Sequence, residues 1–132
     1  MNYLVDTHVA VWSIVSSDKI SKKASKIILD AENTKLVSVI SFWEISLKFS
    51  LGKVDMDGIL PDELHQRVKE AGFEILGLDS HIASTFYKLP QIKNKDPFDR
   101  MLAWQAICNN ITLLTKDSDF AQYKNQGLRT IW

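Results

Sequence analysis

Short apolar runs alternate with helix-like segments along the whole chain, and this alternation constrains the fold more than any single residue does. Residues 2–6, 36–40, 73–78, 111–115 and 128–132 read as strands. Residues 7–15, 20–33, 41–51, 60–72, 80–89 and 97–108 read as helices, with one more short helix from 118. In the second helix Ile20, Ala24, Ile27, Ile28 and Ala31 recur at helical spacing. The run Leu36-Val37-Ser38-Val39-Ile40 is continuous, as expected of a strand covered on both faces. Strands regularly separated by helices form a parallel sheet with helices on either side. The expected architecture is an α/β fold, three-layer α/β/α, around a mainly parallel sheet of four to five strands. A length of 132 residues suits one domain, 1–132.

Punctuation supports these boundaries. Gly52 and Gly72 close helices, Pro90 ends another, and Pro97 suits a first helical turn. Ser41-Phe42-Trp43-Glu44 matches a capping box, which places a helix start at Ser41. Residues 91–96 read as a polar connection.

The bulk numbers exclude several classes. Lys plus Arg and Asp plus Glu number 16 each, so the net charge is zero. A surface that binds nucleic acid everywhere is therefore not expected, although a local basic patch is compatible. Cys108 stands alone and cannot form an internal disulfide, and no Cys/His spacing suggests zinc. No apolar stretch approaches the roughly 18 residues of a membrane span. The first strand begins too early to leave room for a signal segment, so a cytoplasmic protein is expected.

The placement of carboxylates is more specific. Asp6 follows the first strand, Glu44 lies just past the second, and Asp117 follows the run Ile111–Thr115. Asp99 opens a helix within Asp96-Pro97-Phe98-Asp99-Arg100. Each has a structural explanation as a helix cap or first-turn acid. Capping does not explain why all four should gather where an open parallel sheet forms its ligand crevice, at the carboxyl ends of its strands. Acids gathered there repel one another unless a cation neutralises them, which suggests a magnesium-type site of oxygen ligands.

The blocks Leu4-Val5-Asp6-Thr7-His8, Ser41-Phe42-Trp43-Glu44-Ile45 with Lys48 and Gly52-Lys53, Asp96-Pro97-Phe98-Asp99-Arg100, and Leu114-Thr115-Lys116-Asp117 with Phe120 and Tyr123 resemble the PIN-domain family. The likeness is nearest to the VapC-type toxins of bacterial toxin–antitoxin pairs. The blocks come in the family's order and span nearly the whole chain, to Thr130-Ile131-Trp132. The resemblance implies a Mg²⁺- or Mn²⁺-dependent endoribonuclease, with Asp6, Glu44, Asp99 and Asp117 in the acidic metal-binding positions and Thr115 in the family's hydroxyl position. It also implies a cognate antitoxin and a homodimer. Val11, Trp12, Val15, Phe42, Leu47 and Phe49 could supply the antitoxin's apolar surface, and core packing would explain them equally well. The chain departs from the family at Asn94, where this subgroup often has His. Asp119 lies close enough to Asp117 to share the fourth acidic role, and Asp117 is favoured because it directly follows the strand.

The chemistry suits these residue types. Phosphodiester hydrolysis needs an activated water and relief of charge on the phosphate oxygens, and one or two divalent ions supply both. Lys48, four residues after Glu44, is either a helix pair or a positive charge for phosphate. Arg100 carries the same two readings, with a fork suited to phosphate. His8, His65 and His81 are scattered, and Lys19, Lys22, Lys23 and Lys26 read as a solvated face. Trp12, Trp43, Trp104 and Trp132 read as core or interface rather than base-stacking groups. The alternative is a catalytically silent PIN-fold module that binds RNA or protein. A phosphotransfer enzyme on a similar sheet fits less well, since position 8 is His where a second Asp is wanted.

Overall fold

The computed structural model describes residues 1–91, 93 and 95–132. Asn94 therefore lies outside the described residues, as does part of the 91–96 connection. The chain runs β1 (Asn2–Val5), α1 (Thr7–Val15), a 3-10 turn (Ser17–Lys19), α2 (Lys22–Leu29), β2 (Thr34–Ser38), α3 (Val39–Ser50), α4 (Pro61–Glu70) and β3 (Glu74–Leu76). It continues through α5 (Ser80–Thr85), a 3-10 turn (Phe86–Lys88), α6 (Pro97–Cys108), β4 (Thr112–Leu114), a 3-10 segment (Ser118–Gln126) and β5 (Thr130–Ile131).

All four strand pairings are parallel, and the sheet order is β3-β2-β1-β4-β5. The chain builds outward from β1 to β2 and β3, then returns to lay β4 and β5 on the other side. The order thus reverses beside β1, and the gap between the carboxyl ends of β1 and β4 is the switch point where such sheets bind ligands. Alternation along the strands divides the core between the two faces. Leu4 and Leu113 join Leu102, Ala106, Phe120 and Tyr123 on one face. Val5, Val37 and Leu114 join Val9, Ile45, Leu64 and Val68 on the other. Among the described residues no helix is long and apolar enough to cross a membrane.

Two boundaries differ from the sequence reading for reasons of capping. The expected helix 20–33 is shortened to α2, Lys22–Leu29, because the Ser21 hydroxyl accepts from Ala24 N at 3.0 Å and starts the helix there. Asp30 ends it by accepting from Glu32 N at 2.9 Å. The helix expected to open at Ser41 opens at Val39 instead, since Ser38 Oγ accepts from Ile40 N at 3.0 Å. Val39 and Ile40 favour strands by composition, but the Ser38 cap places them in helix. Ser41 is no cap. It is buried in the first turn of α3.

Candidate active site

Asp6 is the first residue after β1 and caps α1, with its Oδ1 accepting from Val9 N at 2.9 Å. Its Oδ2 accepts from the hydroxyl of Thr115, which follows β4. The Thr115 hydroxyl in turn accepts from Asp117 N at 3.0 Å. Asp6 is only 4% exposed. Burial raises its carboxyl above the ordinary value, the Thr115 and Val9 hydrogen bonds and the His8 charge oppose the rise, and nearby Asp117 adds to it.

Glu44 is held in parallel fashion from the other side. It is 2% exposed in the second turn of α3, and Thr7 Oγ1 donates to its Oε1 at 2.6 Å. Ser41, one turn earlier on the same helix face, lies 3.0 Å from the Thr7 hydroxyl. Lys48 closes an ion pair on the other Glu44 oxygen. Burial lowers the Lys48 ammonium, but the Glu44 hydrogen bond and charge outweigh it, with Asp96 and Asp99 adding, so its pKa is raised. The consecutive residues Asp6 and Thr7 thus tie the ends of β1 and β4 to α3.

Asp99 lies half-buried in the first turn of α6, where Asp96 is the cap, accepting from Phe98 N at 2.8 Å. The edge of Trp43 meets Phe98 at 5.1 Å and brings α3 against α6, which sets Asp99 near Lys48. Asp117 is exposed and caps the 3-10 segment by accepting from Asp119 N at 2.9 Å. It shares a depression of about 240 Å³ with Asp6, His8, Trp12 and Lys116. Asp119 lines a different depression, beside Lys93 and Lys95. Among the described residues no three His, Cys, Asp or Glu side chains close into one ligand cluster. Asp6 and Asp117 lie on one side, and Glu44 with Asp99 on the other.

The PIN-domain family model matches residues 3–126. The chain belongs to the PIN-domain family. This PIN domain is 26% identical over 129 residues to Ribonuclease VapC22 of Mycobacterium tuberculosis, a match that covers 98% of this chain and 97% of that protein. The fold is shared with VapBC-1 from nontypeable Haemophilus influenzae, at TM-score 0.67 and 18% identity, covering 99% of this chain and 97% of that one. It is also shared with VapBC2 from Rickettsia felis bound to a DNA fragment from their promoter, at TM-score 0.64 and 20% identity, covering 99% and 98% of the two chains.

Arg100 turns its guanidinium into the interior of the PIN domain. It is buried, donating to the carbonyls of Leu89 at 3.1 Å and Pro90 at 3.0 Å and to the Tyr123 hydroxyl at 3.2 Å. Sequence reasoning missed Thr7 and Ser41 as site residues. The available signal was Ser41 three positions before Glu44, which shares its helix face. His65 packs edge-on against Phe42 and His81 stands in α5, so His8 is the histidine beside the acids.

Proposed function

We propose that this PIN domain is a divalent-metal-dependent endoribonuclease, the toxin of a toxin–antitoxin pair. One observation carries the reading. Two buried carboxylates, Asp6 and Glu44, are each held by a threonine hydroxyl at the carboxyl edge of the sheet, with Asp117 and Asp99 beside them. The ribonuclease relative and the VapBC structures support the substrate class and the antitoxin.

The donor set fits Mg²⁺ or Mn²⁺. The ligands on offer are hard carboxylate oxygens, and magnesium takes one or two carboxylates while keeping several waters, so a closed cluster of three is not needed. Asp6, Asp99, Glu44 and Asp117 would hold it, directly or through water. The bound ion supplies a water of lowered pKa and neutralises charge on the scissile phosphate. The chain's own part is positioning. Thr115 aims its proton at Asp6 and fixes that carboxylate, and Thr7 does the same for Glu44. Lys48 offsets the Glu44 charge and brings a cation to the edge of the crevice, where a phosphate would lie. Asp117 fills the fourth acidic role in this reading, because it shares Asp6's depression and Asp119 does not.

The antitoxin segment would lie between α1 and α3, in a groove of about 140 Å³ whose walls include Val11, Val15 and Ile45 and whose acidic end is Glu44. The homodimer would form on the outer face of α3. There Trp43, Leu47 and Leu51 recur every four residues and are 62%, 40% and 58% exposed.

The test is cleavage of total cellular RNA by the purified chain with Mg²⁺, Mn²⁺ or EDTA, beside Asp6→Asn. Discrete products that need metal and vanish in Asp6→Asn are expected. Equal cleavage by Asp6→Asn, or cleavage unaffected by EDTA, overturns the proposal.

A further inference from the structure

Trp12 stands where a core tryptophan would not. It is half-buried on α1, and its edge-on contact with Trp132, at 6.2 Å and 60°, braces the indole. His8, one turn earlier on the same face, tilts toward it at 5.8 Å and 43°. Both rings line two hollows at once. One contains Asp6, Lys116 and Asp117, and the other contains Glu44, Lys48 and Lys19. The aromatic pair is therefore a ridge between the two halves of the acidic site. By contrast, Trp104 packs against the core and donates to Ile82 O at 3.0 Å.

Two cations rest on this ridge. Lys19, from the 3-10 turn after α1, and Lys116, from the loop after β4, each place Nζ 6.0 Å from the Trp12 ring centre. Among the described residues neither is in an ion pair, and Lys48 with Glu44 is the one such pair. Two ammonium groups brought to one indole beside the crevice can receive an anion there. An aromatic face flanked by cations is the combination that binds an unpaired nucleic-acid strand. The base stacks on the ring, the flanking phosphates meet the cations, and the stacking tolerates any base because each has a π-face.

We propose that Trp12, with His8 beside it, is a stacking platform for one base of an unpaired RNA strand, and that Lys19 and Lys116 hold the adjoining phosphates. The choice of RNA rests on the ribonuclease reading above. The aromatic geometry does not. On arrival of the strand the two ammonium groups leave the indole for phosphate, a full charge in place of a ring quadrupole. Trp12 thereby positions the strand across the ridge, with the phosphate next to the stacked base facing the carboxylates.

The test measures binding without cleavage, in EDTA, by fluorescence anisotropy. The probes are a labelled short oligoadenylate and an abasic strand of the same length and charge. The wild type is expected to bind the base-containing strand about 10-fold more tightly than the abasic one. Trp12→Leu should erase that preference, and Trp12→Phe should restore most of it. Lys19→Ala and Lys116→Ala should weaken both probes alike and flatten the salt dependence. Equal binding of the two probes by the wild type overturns the platform, and this comparison needs no variant to fold. A preference that survives in Trp12→Leu overturns it too. The same preparations assayed with Mg²⁺ separate the two proposals. Metal-dependent cleavage of total RNA without a base preference sinks the platform alone, and a base preference with cleavage that ignores EDTA or survives in Asp6→Asn sinks the nuclease alone.

Discussion

The Thr115 hydroxyl donates to the buried Asp6 carboxylate, joining the ends of two adjacent strands across 109 positions of sequence. One of its two lone pairs accepts from the Asp117 N–H, and its single proton is directed at Asp6. The bond favours the ionised carboxylate, while burial opposes it. Thr115→Val, of similar shape, removes this support at a cost of about 1 to 3 kcal/mol in stability. The Asp6 pKa should rise further, moving the acid limb of the cleavage–pH profile to higher pH, whereas Thr115→Ser keeps it in place. An unmoved limb in Thr115→Val would separate the two residues functionally.

Asp6 also links function to stability. Its folded carboxyl is raised above 3.8, chiefly by burial. Between the unfolded and folded values the native chain therefore binds a proton that the unfolded chain has released. The stability from this group is complete at low pH and is lost as pH rises through the raised value. Asp6→Asn carries no charge to bury. In metal-free buffer its Tm should match the wild type at the acid end and exceed it at neutral pH. A wild type more stable than Asp6→Asn at neutral pH would count against a carboxylate strained by burial.

Lys48 neutralises a Glu44 that has little access to water. Lys48→Met leaves that carboxylate without its cation, but Lys48 is about a third exposed and solvent screens the pair, so the loss should be about 1 kcal/mol. Its raised pKa would contribute stability lost only as pH climbs past 10.5, so near neutrality the effect is flat with pH. Urea unfolding of Lys48→Met, Glu44→Gln and the double variant gives the coupling. Additive losses would mean the pair contributes nothing.

Arg100 should matter for stability and not for substrate. Arg100→Ala strands the Leu89 and Pro90 carbonyls and should cost about 2 to 4 kcal/mol by chemical denaturation. KM for RNA in the folded fraction should stay unchanged. A large KM increase would return this side chain to a phosphate-binding role.

On the outer face of α3, Leu47→Glu with Leu51→Glu places charge in the apolar stripe. Sedimentation should show a dimer for the wild type and a monomer for the variant, with Tm changed by only a few degrees because both residues are already exposed. A wild-type monomer at micromolar concentration would remove the homodimer.

Local patterns made much of this protein legible in the sequence. The continuous Leu36–Ile40 run marked a buried strand, which the structure ends at Ser38, and Pro97 marked the start of α6, where the structure has it. The positions of Asp6 and Asp117 after strands were legible for the same reason, as were their capping roles. The start of α3 was not. The sequence marks Ser41 as the cap, but Ser38 takes that place, accepting from Ile40 N and donating to Gln105 of α6, while Ser41 lies against Thr7. Arg100 was ambiguous because a guanidinium suits carbonyls as well as phosphate, and only the return of Leu89 and Pro90 past α6 shows the carbonyls it donates to.

The sequence by itself determined the order and type of the layers and the set of acids at the strand ends, because strand and helix periodicities and capping act over a few residues. Only the tertiary structure decided that β1 lies between β2 and β4. From that follow Thr115 on Asp6, Thr7 on Glu44, and Trp12 standing between two acidic hollows rather than inside the core. Those contacts depend on which strands become neighbours and which way each side chain leaves its helix, and packing of the whole sheet sets both.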